Sequence, residues 1–434
     1  MKCSYACNSV DHRLARRHFL GTLGAGIGAA AFGAGTGFGP FVRPAIANQL
    51  SSDQKRVMVI FLAGGSSQLE SWDPKPRTET GGPFRAIPTS VPGTHISELL
   101  PKTALQMHRM SIIRSVNTAE DDHGKGRYKM ETGRPQSPAA DYPHLGAVMA
   151  KAVSPFDSPL PGHIHVAARG GGGRRNDAAY LGPRYASIVV GADGGGLRNG
   201  ERPKNLTVEA DERRQALRRS VNDHFLNRRR TAEMDAYTNS FEQALQLMER
   251  REVFELGKEP TSLVEKYGNH ELGRQCLMAR RLLEHGITFV QVSHSNYDTH
   301  CENFNFHLEQ IGEFDQAYSA LIDDLAERGM LESTLVIVMS EFGRTPRINP
   351  WYGRDHWGKA WSVVMAGCGI QNGAVIGKTN ETGMEVADRQ VDHRHLFHTY
   401  LQAVGVDSTQ DFHVGGREMP MADPSAGPIE ELLA

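Results

Sequence analysis

The stretch Val57–Ala63, VMVIFLA, decides the fold of this chain. An unbroken apolar run of this length, with β-branched residues in it, predicts a strand that is buried on both faces, as strands of parallel sheets are. The run stops at Gly64 and Gly65, which predict a tight turn. Ligands bind at the carboxyl ends of such strands in α/β proteins. The residues that follow each strand are therefore the first candidates for a functional site.

Further apolar runs and two amphipathic segments extend this pattern along the chain. The other predicted strands are Ile164–Ala168, Ile287–Ser293, Leu335–Ser340 and Trp361–Gly367. Apolar residues at intervals of three to five predict helices over Leu263–Glu284 and Glu302–Arg328. Alternation of helices with fully apolar strands predicts an α/β fold, with a mainly parallel central sheet flanked by helices.

The first 47 residues predict a twin-arginine signal peptide. Arg16 and Arg17 stand in RRHFLG, a weakly hydrophobic run rich in glycine and alanine spans Thr22–Phe38, and AIA at Ala45–Ala47 offers small residues for cleavage. An uncleaved anchor is the alternative, although so much glycine disfavours a spanning helix. We therefore expect an exported protein, periplasmic or extracellular, in which residues 48–434 form a single domain with a charged helical cap insertion near residues 200–260.

Composition and charge exclude several classes of protein. The chain has 434 residues, of which 39% are hydrophobic and 23% charged, so it is globular and not disordered. The signal segment carries five basic residues and one acidic residue, and without it the net charge falls from −2 to near −6. This charge argues against nucleic acid as a partner. No later segment is apolar enough to span a membrane, and the oligomeric state cannot be read from the chain.

Acidic and histidine residues follow two of the predicted strands. Asp298 and His300 come after Ile287–Ser293, in the order His-x₃-Asp-x-His that begins at His294. Carboxylates and imidazoles so close together are suited to a divalent metal ion. Isolated histidines are usually structural, so contact with a metal or substrate and a structural role stay equally open for this loop.

The second group of polar residues follows Leu335–Ser340. Glu341 and His356 are candidate metal ligands, and Arg344 with Arg347 would hold an oxyanion through their guanidinium groups. The simpler interpretation is a surface ion pair, either Glu341 with Arg344 or Asp355 with Arg354. A carboxylate at the end of an apolar strand is expected to be partly buried, however, and a buried charge needs a partner or a metal.

The third candidate position is the start of a predicted helix. It holds Asp121, Asp122 and His123. Helix N-termini favour anions and activated nucleophiles. An N-cap aspartate beside a hydrogen-bonded histidine is equally compatible with this sequence.

Many motifs in order make the chain resemble a bacterial exported family known only as domain of unknown function 1501. They are RRHFLG, FLAGGSSQLESWDPKP, GPFRAIPTSVPGTHISELLP, IIRSVN, DDHG, TGRP, SHSNYDTHCEN, SEFGRTPRIN, GRDHW and DHRHLFHTYLQAVGVD, and they span nearly the whole sequence. That family is placed in the alkaline phosphatase–sulfatase superfamily. The resemblance therefore implies an alkaline-phosphatase-like fold and hydrolysis of phosphate or sulfate monoesters, with two metals and a nucleophile at a helix N-terminus.

The chain departs from the superfamily pattern at three places. Gly64 stands where the first strand usually ends in an aspartate ligand, and Phe342 replaces a histidine. Counting back from Thr132-Gly133 puts His123 at the nucleophile position. Asp73 is a distant candidate for the lost aspartate. No Cys-x-Pro-x-Arg stretch is present, which argues against ordinary sulfatase chemistry.

Three functions follow from these residues. The first is a metal-dependent ester hydrolase in which His123 and Arg344 are catalytic. Its metal ligands would be Asp298, His300, Glu341 and His356, holding zinc, calcium, magnesium or manganese, with a small-molecule or glycan ester as substrate. The second is a non-catalytic descendant that binds an anionic glycan or a protein, and the third is a purely structural envelope protein. No residue predicts binding of an organic cofactor. Convergence of the acidic and histidine side chains on one point would favour the first function.

Overall fold

The computed structural model describes residues 54–155, 158, 160–167, 176–192, 202–228, 232–414 and 416–434. The predicted signal peptide lies outside the described residues, so export and the division into signal and single domain stay predictions. None of the described helices is long and apolar enough to cross a membrane.

An eight-stranded mixed sheet forms the centre of the described chain, in the order β12-β4-β11-β8-β1-β7-β5-β6. Its strands are β1 (Arg56–Leu62), β4 (Met110–Val116), β5 (His163–Ala167), β6 (Ile188–Gly191), β7 (Phe289–His294), β8 (Thr334–Met339), β11 (Trp361–Gly367) and β12 (Val375–Ile376). Only β11 runs antiparallel to its neighbours, between β8 and β4. The predicted fold class, a mainly parallel sheet flanked by helices, is confirmed.

Short two-stranded ribbons accompany the sheet. They pair β2 (Ala86–Pro88) with β3 (His95–Ser97), β9 (Gly343–Arg344) with β10 (His356–Trp357), β13 (Lys378–Thr379) with β14 (Val386–Asp388) and β15 (Asp411–Val414) with β16 (Arg417–Pro420).

The helices are α1 (Pro101–Ala104), α2 (His123–Thr132), α3 (Leu145–Val153), α4 (Val208–Arg228), α5 (Ala232–Glu249), α6 (Thr261–Tyr267), α7 (Glu271–Glu284), α8 (Asn303–Glu327) and α9 (His393–Ala403). The single helix predicted over Leu263–Glu284 is wrong, because the chain breaks between α6 and α7. Gly268 takes a left-handed conformation there (φ +96°), and the His270 side chain accepts a hydrogen bond from Gly273 N to start the second helix. Two helices, α4 and α5, occupy the charged region predicted as a cap.

Alternate residues of β1 pack into two separate apolar cores. Met58, Ile60 and Leu62 face the core that contains residues of α7 and α8. Val57, Val59 and Phe61 face the opposite core, which includes residues of α3 and α9. Each such side chain contributes about 1.5–3 kcal/mol by burial. This two-sided burial explains why the strand is apolar throughout.

Candidate metal centre

Three adjacent parallel strands bring the site residues together at one edge of the sheet. β1 lies between β7 and β8 and is parallel to both. Their carboxyl ends therefore meet, and the loops that follow them carry Gly64, Asp298, His300 and Glu341. His123 begins α2, and His356 lies in β10.

Three imidazoles at this edge have one ring nitrogen engaged in the same way. Nδ1 of His123 lies 2.8 Å from Oε1 of Glu341, and Nδ1 of His300 lies 2.7 Å from Oδ1 of Asp355. Nδ1 of His356 lies 2.7 Å from the backbone oxygen of Asp121. Carboxylate and carbonyl oxygens only accept hydrogen bonds, so each Nδ1 donates a proton. The Nε2 atoms are left as the positions able to bind a cation.

All three Nε2 atoms face the carboxylate of Asp298. Its Oδ1 lies 3.1 Å from Nε2 of His300 and 3.2 Å from Nε2 of His356, and its Oδ2 lies 3.4 Å from Nε2 of His123. The Nε2 atoms of His300 and His356 are themselves 3.0 Å apart. Among the described residues, His123, Asp298 and His356 form a cluster of ligand type within 4.8 Å.

The arrangement needs a positive charge at its centre. Neutral imidazoles that donate through Nδ1 would turn Nε2 lone pairs toward one another and toward a carboxylate, which is unfavourable. A metal ion or additional protons would remove this repulsion. Tetrahedral zinc with ligands at about 2.0–2.1 Å separates its donor atoms by roughly 3.3 Å, close to the spacings found here. The donor atoms of Asp298, His300 and His356, which lie 3.0–3.2 Å apart, therefore fit a divalent cation.

Asp298 is kept ionised by its surroundings. Partial burial acts to raise its pKa, but the hydrogen bond and charge of Arg344, the hydrogen bond of His356 and the charge of His123 outweigh burial and lower the pKa to about 2. The carboxylate is half-exposed and so remains open to a ligand.

Arg344, which the sequence predicts to bind an oxyanion, is directed at Asp298. Its side chain is fully buried. Its guanidinium donates to Asp298 Oδ1 (2.6 Å), to the carbonyls of Gly65 (2.9 Å) and Arg354 (3.0 Å), and to the carbonyl of Gly64. These bonds orient Asp298 and hold the loop after β1, so a direct role toward substrate has no support from this placement.

Glu341, predicted as a metal ligand, lies behind His123. Its buried carboxylate accepts from His123 Nδ1 and, at 2.9 Å, from the backbone N–H of Gly64. Neither surface ion pair considered from the sequence occurs among the described residues: Asp355 contacts His300, and Arg354 contacts Glu70. Glu341 thus orients a candidate ligand by the same kind of contact that Asp355 makes with His300.

The glycine that follows β1 leaves no room for a side chain. Gly64 has φ +115°, and a Cβ atom there would lie 2.4 Å from the backbone nitrogen of Asp298. Phe342 packs against the imidazoles, with ring centroids 4.5 Å from His356 and 4.9 Å from His123. Asp73 is not an alternative ligand here, because its carboxylate pairs with Lys75 and Arg114.

A buried ion pair supports the loops that carry the site. Glu70 and Arg354 are both fully buried and form two bonds, Arg354 Nη2 to Glu70 Oε1 at 2.7 Å and Nε to Oε2 at 3.0 Å. Asn303 also donates to Glu70 (3.0 Å), and the Arg354 backbone donates to the Thr299 carbonyl (3.0 Å). The pair thereby ties Asp355 and His356 to the loop of Asp298 and His300.

Backbone strain is concentrated in the same loops. Of seven non-glycine residues with positive φ in the described chain, four lie beside site residues: Ala119 (50°), Asn296 (74°), Glu302 (52°) and Tyr352 (57°). Such conformations cost of order 1–3 kcal/mol each and persist where the surrounding structure holds them. The site is therefore pre-organised by the fold.

The start of α2 shows the N-cap expected from its sequence, whereas a nucleophilic role for His123 stays a prediction. Asp122 is the N-cap and accepts from Lys125 N at 2.9 Å, while His123 reaches the cluster. The sequence did not predict the ion pair of Glu70 with Arg354, because neither residue lies in a local pattern that marks it as part of a site.

Fold and site together define an α/β protein with a candidate metal centre of histidines and one carboxylate at the carboxyl ends of its parallel strands. The chain belongs to the family described as a protein of unknown function, DUF1501, whose model matches residues 54–433. Among curated proteins, none matches the chain.

Several solved structures are similar to the chain at low identity. One is the PsFucS1 sulfatase from Pseudoalteromonas sp., with 13% identity, a TM-score of 0.38, and coverage of 84% of this chain and 72% of that one. Another is a protein in the alkaline phosphatase superfamily from Vibrio parahaemolyticus, with 12% identity, a TM-score of 0.35, and coverage of 82% and 68%. A third is the alkaline phosphatase of the Antarctic bacterium TAB5, with 11% identity, a TM-score of 0.37, and coverage of 81% and 98%. The assignment of this chain stands on the family match.

Proposed function

We propose that this chain is an exported, metal-dependent hydrolase of phosphate or sulfate esters. The observation that carries the proposal is the set of three imidazoles, each donating through Nδ1, whose Nε2 atoms face the Asp298 carboxylate. Asp298, His300 and His356 would hold a divalent cation. When bound, that cation would polarise an ester oxygen and offset its negative charge.

The surrounding residues supply positioning and proton transfer. Arg344 keeps Asp298 ionised and aimed, and Asp355 orients His300. Nε2 of His123 takes a proton from the attacking water, and the Nδ1 contact with Glu341 stabilises the resulting imidazolium. The water oxygen bonds to phosphorus or sulfur as the bond from that atom to the ester oxygen breaks; the ester oxygen takes a proton from solvent and leaves as the alcohol, and the His123 imidazolium returns its proton to solvent. The products are therefore an alcohol and inorganic phosphate or sulfate.

Metal analysis tests this proposal directly. The full-chain protein is analysed for bound metal beside a His300→Ala, His356→Ala double variant. His413→Ala serves as the control, because that side chain is exposed and 3.5 Å from Glu418 in β16. We expect stoichiometric divalent metal in the parent and the control and its loss in the double variant. A folded parent that takes up no divalent ion on titration would refute the proposal.

Turnover of 4-nitrophenyl phosphate and 4-nitrophenyl sulfate then separates the hydrolase from a binding protein. Metal without turnover of any ester would favour the alternative, a non-catalytic descendant that binds anionic glycans or a protein. His123→Ala should retain metal and lose turnover if this side chain acts as the base. Loss of metal in that variant would make His123 a ligand instead.

A further inference from the structure

The hairpin that carries His356 presents two exposed aromatic rings at its tip. β9 and β10 pair so that Arg344 lies opposite His356, and residues 345–355 form the connecting loop. Trp351 and Tyr352, at 69% and 68% exposure, are the most exposed aromatic side chains of the described chain. The base of this hairpin is part of the candidate metal centre, whereas its tip projects into solvent.

The tip is held rigidly against the loop of His300. The backbone N–H groups of Glu302 and Asn303 donate to the carbonyls of Trp351 (3.1 Å) and Tyr352 (3.0 Å). The Asn349 side chain donates to the carbonyl of His300 at 2.8 Å. The rings are thus offered on a fixed backbone, which lowers the ordering cost of any ligand that stacks on them.

A cationic side chain lies on the same loop. Arg347 is exposed, and its guanidinium makes no ion pair or hydrogen bond with the described residues. Its neighbours Trp351 and Tyr352 are amphipathic, with broad apolar faces and polar edges. The loop therefore combines faces that stack on a ring with a group that binds anions.

We propose that this tip, made of Arg347, Trp351 and Tyr352, is a sugar-binding subsite and that the ester substrate is an anionic glycan. The inference rests on the proposed function, because it assigns the substrate of that same site. Sugar rings have C–H faces that stack on aromatic rings, while their hydroxyl groups stay in water. A sulfate or phosphate on a sugar beyond the one being hydrolysed would meet Arg347.

The length of the hairpin limits the distance that a ligand must span between the rings and the metal centre. Trp351 and His356 are five positions apart in the sequence, so their Cα atoms are at most about 18 Å apart. An extended chain of several sugar units can contact both positions at once, which is why an oligosaccharide is favoured over a small molecule.

Binding measurements on matched oligosaccharides test the subsite. Affinities of the full-chain protein for oligodextran sulfate, oligodextran phosphate and unmodified oligodextran are measured by calorimetry. The test variant is Trp351→Ala, Tyr352→Ala, with a Trp351→Phe, Tyr352→Phe variant that retains stacking. Phe225→Ala, in α4 and 55% exposed, is the control. We expect at least about tenfold weaker binding of the anionic oligosaccharides in the alanine variant alone.

Arg347→Gln should weaken binding of the sulfated or the phosphorylated chain, and the larger effect identifies the preferred ester. Equal affinities of the alanine variant and the parent for every oligosaccharide would overturn the subsite. Sedimentation velocity tests whether a second copy of the chain occupies the tip instead. If the parent is an oligomer and the alanine variant is a monomer, the rings bind a second copy and the inference fails.

Independent readouts separate failure of the subsite from failure of the proposed function. In one outcome, the parent holds metal and cleaves 4-nitrophenyl esters while the substitutions leave the glycan affinity unchanged. That result overturns only the subsite. A parent without metal or ester cleavage overturns the proposed function, and with it the assignment of a glycan substrate.

Discussion

Removal of the Glu70 carboxylate should destabilise the fold far more than removal of a matched surface carboxylate. Both members of the Glu70–Arg354 pair are fully buried. Burial acts to raise the pKa of Glu70, but the charge and hydrogen bonds of Arg354 outweigh it and hold this pKa below its usual value. Glu70→Ala would leave a guanidinium buried without its counter-charge.

The magnitude follows from what Arg354 retains. Breaking a buried pair from one side typically costs about 3–5 kcal/mol. Arg354 would still donate to the carbonyls of Thr80 (2.8 Å) and Thr345 (3.1 Å), so part of its hydrogen bonding survives. We therefore expect a loss near the lower limit, about 3 kcal/mol in the free energy of unfolding.

The control is a second pair with the same two-bond geometry at the surface. Arg389 Nε and Nη2 lie 2.6 and 2.8 Å from the two oxygens of Glu431, and the two side chains are 35% and 50% exposed. Glu431→Ala should cost less than about 1 kcal/mol, because exposed pairs are solvated and screened. Urea unfolding of both variants at low and high NaCl gives the comparison, with only the surface pair expected to respond to salt. Equal losses in the two variants would refute the reasoning that burial sets the cost.

Three more substitutions test separate parts of the structure. Gly64→Ala should lower metal content and stability together, because the added Cβ would lie 2.4 Å from the backbone nitrogen of Asp298; wild-type values by elemental analysis and urea unfolding would contradict this. Glu341→Gln should retain metal but lower ester turnover about 10–100-fold, because the carboxylate that stabilises the His123 imidazolium is lost, and elemental analysis with a 4-nitrophenyl ester assay measures the two effects. His307 is fully buried, and burial lowers its pKa to about 4, with Glu70 opposing the shift. Since its folded pKa lies below the unfolded value of about 6.5, its contribution to stability is complete above that pH and is lost as pH falls toward 4. His307→Gln should therefore reduce the slope of unfolding free energy against pH in this range by up to about 1.4 kcal/mol per pH unit, and an unchanged slope would rule out this titration.

Local patterns in the sequence predicted the central strands well. β1, β8 and β11 are mainly apolar runs, and burial on both faces is the physical reason for that signal. β4 was missed, since MSIIRSV mixes apolar residues with Arg114 and two serines. The helix break at Gly268 was missed because the apolar pattern continues on both sides of it.

The candidate site divides in the same way between local signals and tertiary contacts. Position after a strand end was enough to single out Asp298, His300 and Glu341, because parallel strands gather their carboxyl ends at one edge. Arg344 follows the same strand as Glu341, but its burial and its hydrogen bond to Asp298 could not be predicted from that position. Exposure depends on which segments cover a side chain, and no local pattern states that.

The sequence alone determined that this chain is an α/β protein of the DUF1501 family with acidic and histidine residues after its strands. Only the tertiary structure decided that Asp121, Glu341 and Asp355 engage the Nδ1 atoms and turn the Nε2 atoms toward Asp298, and that Glu70 supports Arg354 across 284 residues of chain. The physical reason is range: periodicity reports how each segment meets solvent or core, whereas these contacts depend on which distant segments the sheet order makes neighbours.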